Sequence, residues 1–77
     1  MNLSLASLPL GKAAEVVSVH HTPEMQIRLF ELGMTPGCPV RCIYSAPGGD
    51  PRAYLVRGTV LALRNADAKS VEVRVWD

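Results

Sequence analysis

The chain has almost no excess of charge and few aromatic residues. Lys and Arg number 8 and Asp and Glu number 7, so the formal net charge is +1 over 77 residues, and aromatic residues make up 5%. Proteins that bind nucleic acid through many phosphates need a basic excess, and many also stack bases on aromatic rings. The composition therefore disfavours a nucleic-acid-binding barrel, and we expect no nucleic acid as a partner.

Long hydrophobic runs are also missing. Apolar stretches such as residues 60–63 are far shorter than the ~20 residues that a helix needs to cross a bilayer. The first twelve residues lack a basic region, and Pro9 interrupts their apolar character, which is not typical of a secretory signal peptide. The sequence therefore predicts no membrane-spanning segment and no targeting peptide.

Only two cysteines are present, Cys38 and Cys42. If both lie in one strand, their Cα atoms are separated by about 13 Å, because a strand rises about 3.3 Å per residue. A disulfide cannot bridge that distance. Two free thiols are typical of a reducing compartment, so the sequence predicts a cytoplasmic protein.

The residues that most often carry catalysis or bind metals are present but not grouped. His20 and His21 are neighbours in a predicted strand and should point to opposite faces, while the two cysteines are too far apart to chelate one ion. No nucleophile stands beside a base and an orienting group, and no glycine-rich loop opens a helix. We therefore expect a protein that is not an enzyme and has no catalytic residues, no cofactor and no metal site of its own.

Alternating apolar residues predict five short strands in a single domain over residues 1–77. In the first strand the alternation places Val17 and Val19 on one face, and in the second it places Val40, Cys42 and Tyr44 on one face. The strands are expected near residues 13–21, 40–46, 52–57, 59–64 and 71–76. Five strands of this length cannot form two packed layers, so closure into a small barrel is the simplest way to cover their edges.

One helix is predicted between the first two strands. Thr22 can cap it, Pro23 suits its first turn, and Met25, Leu29 and Leu32 recur at helical spacing. Gly33 then suits the left-handed position that ends a helix. Leu29 and Leu32 are expected to fill the barrel. Phe30 lies off this stripe, so it either packs on the barrel rim or belongs to an exposed apolar patch.

The stretch Pro47–Pro51, with the sequence PGGDP, predicts a tight turn between two strands. Its glycines allow positive φ, and Asp50 can accept hydrogen bonds from backbone amides ahead of it. We interpret it as a conformational element rather than a catalytic one.

An ordered set of motifs spans the whole chain and resembles the FeoA family of ferrous iron transport accessory proteins. The motifs are LASLPLG at residues 5–11, RLFELGMTPG at 28–37, PGGDP at 47–51, RG at 57–58 and LALR at 61–64. The resemblance implies a mainly β fold, a five-stranded SH3-like barrel with one short helix inserted after the first strand. Gly48 and Arg52 depart from the family's pattern, and they predict a more polar and more mobile hairpin tip.

The resemblance also implies a partner. This is FeoB, a membrane transporter of ferrous iron with a cytoplasmic GTP-binding domain, which would hold the protein at the inner face of the cytoplasmic membrane. A similar fold forms the C-terminal domain of the diphtheria toxin repressor family, so a metal-responsive regulatory domain is the alternative. A weak homo-oligomer also remains open.

A partner would need an exposed patch. We expect the contact surface on the helix and the loop after it, formed by Arg28, Phe30, Glu31 and Met34. The side of the barrel from Arg57 to Arg64 is the next candidate.

Overall fold

A computed structural model describes residues 1–76, which form one six-stranded antiparallel sheet with the strand order β1-β6-β2-β3-β4-β5. The mainly β fold with a short helix is confirmed, although six strands are present rather than five. The elements are β1 (Asn2–Ser4), a 3-10 turn (Leu5–Ser7), β2 (Ala13–Val19), α1 (Pro23–Glu31), β3 (Pro39–Ser45), the turn Pro47–Gly49, β4 (Arg52–Val56), β5 (Thr59–Leu63), α2 (Asn65–Ala68) and β6 (Val71–Val75).

The additional strand is β1, and α1 therefore follows the second strand of the sheet. Its three residues are too few to show an alternating pattern, and it exists because it pairs with β6, opposite Glu72 to Arg74. Neither helix among the described residues has the length and apolar character that crossing a bilayer requires.

The core is built from small and aliphatic side chains, as the composition predicts. Strands β2 to β6 contribute to it, together with the 3-10 turn, α1 and α2. The buried residues are Leu5, Leu8, Ala14, Val16, Val19, Leu29, Met34, Cys38, Val40, Cys42, Tyr54, Val56, Leu63, Ala68, Val71 and Val73.

Two irregularities overturn the predicted alternation. The register between β2 and β6 shifts between Val16 and Ser18, so Val16 and Val19 are buried and Val17 is exposed. A second shift, in β3, exposes Tyr44. A bulge adds one residue to a strand and reverses the faces beyond it, which a strict period of two cannot predict.

The N-terminal segment, by which we mean residues 5–12 between β1 and β2, is fixed to the sheet by side chains of β4. The Arg52 guanidinium donates hydrogen bonds to the backbone carbonyls of Ala6, at 2.7 Å, and of Leu8. The Tyr54 hydroxyl, 3.4 Å from the carbonyl oxygen of Leu5, can donate a third. Arg52 therefore does not make the hairpin tip more polar. Its side chain lies half-buried against the segment that precedes β2.

The PGGDP turn is attached to α2. Gly48 and Gly49 have φ of 85° and 88°, as the prediction of a glycine-dependent turn requires. The Asp50 carboxylate accepts a hydrogen bond from the backbone N–H of Asn65 at 3.0 Å, and the Asn65 side chain donates one to the Gly49 carbonyl at 2.8 Å. These hydrogen bonds hold the β3–β4 connection against the start of α2.

Candidate partner-binding surface

Helix α1 begins where the sequence predicts. The Thr22 hydroxyl accepts a hydrogen bond from the backbone N–H of Met25 at 3.3 Å, and Pro23 occupies the first helical turn. The Gln26 side chain donates to the carbonyl of Val19, at the end of β2, at 2.7 Å. Leu29 is the helix's one fully buried residue. These contacts hold one side of α1 on the sheet.

The helix ends in a turn that needs glycine for two reasons. Gly33 has a φ of +104°, which side chains rarely allow, and the N–H of Met34 donates to the carbonyl of Leu29 at 2.9 Å. A Cβ atom at Gly33 would lie 3.0 Å from Cγ1 of Val56 and 3.2 Å from Cδ of Arg57. The predicted left-handed cap is therefore present, and it also packs closely against β4 and the turn after it.

Of the four residues expected to contact a partner, three are exposed and one is buried. Arg28, Phe30 and Glu31 are all exposed on α1, and Phe30 retains 37% of its accessible surface. Met34 retains 0%, so the prediction that it is exposed is wrong. The physical reason is the turn at Gly33, where the backbone N–H of Met34 donates to the Leu29 carbonyl and the Met34 side chain enters the core.

The prediction that Leu32 fills the barrel is also wrong, because its side chain is 40% exposed. Leu29 does lie in the core as expected. Helical spacing alone predicts both leucines on one stripe. However, Leu32 is the C-terminal cap of α1, and its N–H donates to the carbonyls of Arg28 and Phe30 in a tightened last turn.

Sequence reasoning missed Ile27, which is 59% exposed. It precedes Phe30 by three positions and Glu31 by four, and residues at these spacings are neighbours on a helix surface. The same periodicity that finds a core stripe could have found this second one. We use the name α1 surface for Ile27, Arg28, Phe30 and Glu31.

The two histidines turn to different parts of the molecule. His20 Nε2 lies 2.7 Å from the Ser18 hydroxyl, whereas His21 Nε2 lies 3.0 Å from the Asp67 carboxylate on α2. Within residues 1–76, no three side chains of His, Cys, Asp and Glu are grouped so that they could hold a metal ion. Cys38 and Cys42 are free and buried. That the protein has no tight metal site of its own stays a prediction.

Within residues 1–76, burial shifts the pKa of the Tyr54 side chain, which lies in the core. The apolar surroundings of Tyr54 raise the pKa of its hydroxyl above the usual 10.0, because they disfavour the charged form, while the neighbouring Arg52 guanidinium partly opposes this rise. Tyr54 therefore stays neutral at neutral pH and lies in the core.

Comparison with solved structures defines the class of protein. The FeoA of Stenotrophomonas maltophilia, described as a prokaryotic SH3 domain protein and determined in complex with zinc, is 40% identical, with a TM-score of 0.82 over 92% of this chain and 88% of that one. FeoA from Chlorobium tepidum is 32% identical, with a TM-score of 0.92 over 97% of this chain and 71% of that one. The fold is therefore an SH3-like barrel.

The family follows from the sequence itself. The family model of the FeoA domain matches residues 3–75, and the chain belongs to the FeoA family, which is associated with ferrous iron transport. The protein described as T. acidophilum IdeR is 20% identical, with a TM-score of 0.84 over 97% of this chain and 34% of that one. At this identity the likeness shows a shared fold alone. No curated protein matches the chain.

Proposed function

We propose that this protein is a single-domain, non-enzymatic accessory protein that binds the FeoB iron transporter at the cytoplasmic face of the membrane through the α1 surface. Membership of the FeoA family supports the link to ferrous iron transport. The S. maltophilia relative is described as a candidate activating factor of that process. Contact with the membrane would arise only through the transporter.

The single observation that carries the choice of surface is the exposure of Ile27 and Phe30 on a helix whose other side is fixed to the sheet. Arg28 and Glu31 are exposed beside them. Apolar side chains surrounded by charged ones of both signs are typical of the centres of protein interfaces. A helix that is already ordered also loses little conformational entropy on binding.

The alternative of a metal-responsive regulatory domain receives no further support. Its basis is the likeness to IdeR and to manganese-dependent repressors, which at 20% identity or less concerns the fold. The nucleic-acid-binding alternative is disfavoured by the balanced charge.

The test is the double variant Ile27→Ser/Phe30→Ser, measured for binding to full-length FeoB in lipid nanodiscs. We expect its affinity to fall at least about tenfold, because exposed apolar anchors often contribute more than ~1 kcal/mol each. Its free energy of unfolding should remain within about 0.5 kcal/mol per substitution of the original.

Leu10→Ser is the matched control, because Leu10 is equally apolar and exposed but lies before β2. It should bind FeoB as the original chain does. If the double variant folds and binds FeoB with unchanged affinity, the α1 surface is not the contact. If the original chain does not bind FeoB at all, the proposed function itself is wrong.

A further inference from the structure

Strand β5 is an open edge of the sheet. In the part of the chain that the structure describes, β5 pairs only with β4. The two strands are joined by the two-residue turn Arg57–Gly58, whose φ angles of 52° and 77° are those of a tight hairpin. The barrel therefore does not cover this edge, contrary to the expectation that closure would cover all edges.

The register defines which backbone groups are free. Val56 pairs with Thr59 across the turn, and Tyr54 pairs with Leu61. Residues opposite each other in such a hairpin alternate between hydrogen-bonded and non-hydrogen-bonded pairs, beginning with a bonded pair at the turn. Thr59 and Leu61 thus direct their N–H and C=O groups to β4, whereas Val60 and Ala62 direct theirs away from the sheet.

The side chains make this edge unusual. Residues 59–63, TVLAL, contain no charge and no proline, and Val60 is 61% exposed. Its cross-strand neighbour Leu55 is also exposed and extends the apolar strip onto β4. Natural proteins usually protect a long apolar edge with a charge, a proline or a bulge within it. Here the only charges lie at its two ends.

Those charges are both positive. Arg57 precedes β5 and Arg64 follows it, and both are exposed. None of the three ion pairs found among residues 1–76 involves either arginine. An uncharged strand edge between two available guanidinium groups is complementary to an extended segment that is apolar in its middle and acidic at its ends.

We propose that the β5 edge binds such an acidic, extended segment of a partner protein as an added strand. Backbone hydrogen bonds from Val60 and Ala62 would supply the pairing, and Arg57 and Arg64 would select the acidic ends. A second copy of this chain fits poorly. Antiparallel pairing of two β5 edges around Val60 and Ala62 brings Arg57 of one copy beside Arg64 of the other at both ends, and like charges there oppose association.

The experiment uses the whole chain and two capped synthetic peptides. Each has the centre Thr-Val-Thr-Val-Thr, with two glutamates at both ends in the first peptide and two lysines in the second. Amide hydrogen exchange is measured by NMR at low salt. With the glutamate peptide we expect exchange at Val60 and Ala62 to slow at least about tenfold, since new hydrogen bonds protect amides, and Thr59 and Leu61 to change little. The lysine peptide should have no effect.

Two sets of variants test the two parts of the proposal. Val60→Pro removes an N–H that points away from β4, so the hairpin keeps its hydrogen bonds, and it should abolish peptide binding. Val60→Thr is its matched control and should bind within about threefold of the original, because it keeps the N–H. The double variant Arg57→Asn/Arg64→Gln removes both positive charges, and Asn at position 57 suits the positive φ of the turn. It should bind the glutamate peptide about tenfold more weakly, because two exposed charge pairs are lost.

Several results would overturn the proposal. These are equal binding of both peptides, protection of α1 amides in place of Val60 and Ala62, or a Val60→Pro variant that binds as Val60→Thr does. Slowed exchange at Val60 and Ala62 that grows with protein concentration and needs no peptide would show that the occupant is a second copy. If Val60→Pro fails to fold, the Arg57→Asn/Arg64→Gln variant provides the test. Unchanged affinity of that variant for the glutamate peptide would rule out an acidic segment as the occupant.

Discussion

The N-terminal segment before β2 and helix α1 after β2 pack on the same sheet, but they bury very different shares of their side chains. Leu5 and Leu8 of the N-terminal segment are completely buried, and Arg52 donates hydrogen bonds to the carbonyls of the same segment. Helix α1 buries only Leu29 completely, and it leaves Ile27 exposed. The element with the clearer sequence signal is thus the one with the smaller share of the core.

This difference separates an element that contributes mainly to stability from the helix on which we propose that a partner binds. The N-terminal segment buries Leu5 and Leu8 completely in the core, and Leu10 is its one large apolar side chain that stays mostly exposed. Helix α1 needs few of its side chains for packing, so several of them remain available for binding. A clear helical pattern predicts that a helix forms, but it does not predict how much of that helix the fold uses.

The largest effect should come from truncating the N-terminal segment's anchor. Leu5→Ala removes a fully buried side chain and should lower the free energy of unfolding by about 3 kcal/mol, through lost burial and a cavity. Urea unfolding measures this, with the exposed Leu10→Ala as control, expected to change by less than ~0.5 kcal/mol. A loss below about 1 kcal/mol for Leu5→Ala would show that the segment is not a firm part of the core.

Gly33→Val should destabilise by about 2 to 3 kcal/mol, because a β-branched residue is strained at positive φ and its Cβ would crowd Val56. Gly11→Val is the matched control. Gly11 has a φ of +84° but nothing within 4 Å of an added Cβ, so its cost should be strain alone. Equal midpoints in urea for the two variants would mean that the packing around Gly33 does not matter.

Arg52→Met keeps much of the side chain's volume but removes the guanidinium. It should cost about 1 to 2 kcal/mol, because the carbonyls of Ala6 and Leu8 lose their donor. Arg52→Lys retains one charged donor and should lose less. Amide exchange would locate the change, and we expect faster exchange in the N-terminal segment than in α1. Uniform exchange in both regions would contradict the role assigned to Arg52.

The smallest effect should be that of Leu32→Ala, within about 0.5 kcal/mol in urea unfolding, because this leucine is 40% exposed. Leu29→Ala, one turn earlier, should cost several times more. Similar losses for the two variants would restore the original expectation that both leucines fill the barrel, and the contrast between α1 and the N-terminal segment would largely disappear.

The sequence by itself determined the local conformations. Thr22 and Pro23 start α1, Gly33 ends it, and the glycines of PGGDP set the turn, because capping and backbone dihedral angles depend on residues a few positions apart. For Phe30 the sequence left two alternatives, packing on the barrel rim or an exposed patch, and the structure shows that 37% of its surface is exposed.

Only the tertiary structure decided which of these elements share the core. Strand β1 exists through its pairing with β6, Met34 is buried because a turn redirects the chain, and Arg52 reaches a segment more than forty positions away in the sequence. Bulges in β2 and β3 reverse the faces of their strands. Each of these outcomes depends on contacts between residues distant in sequence, where packing and hydrogen bonding override the local pattern.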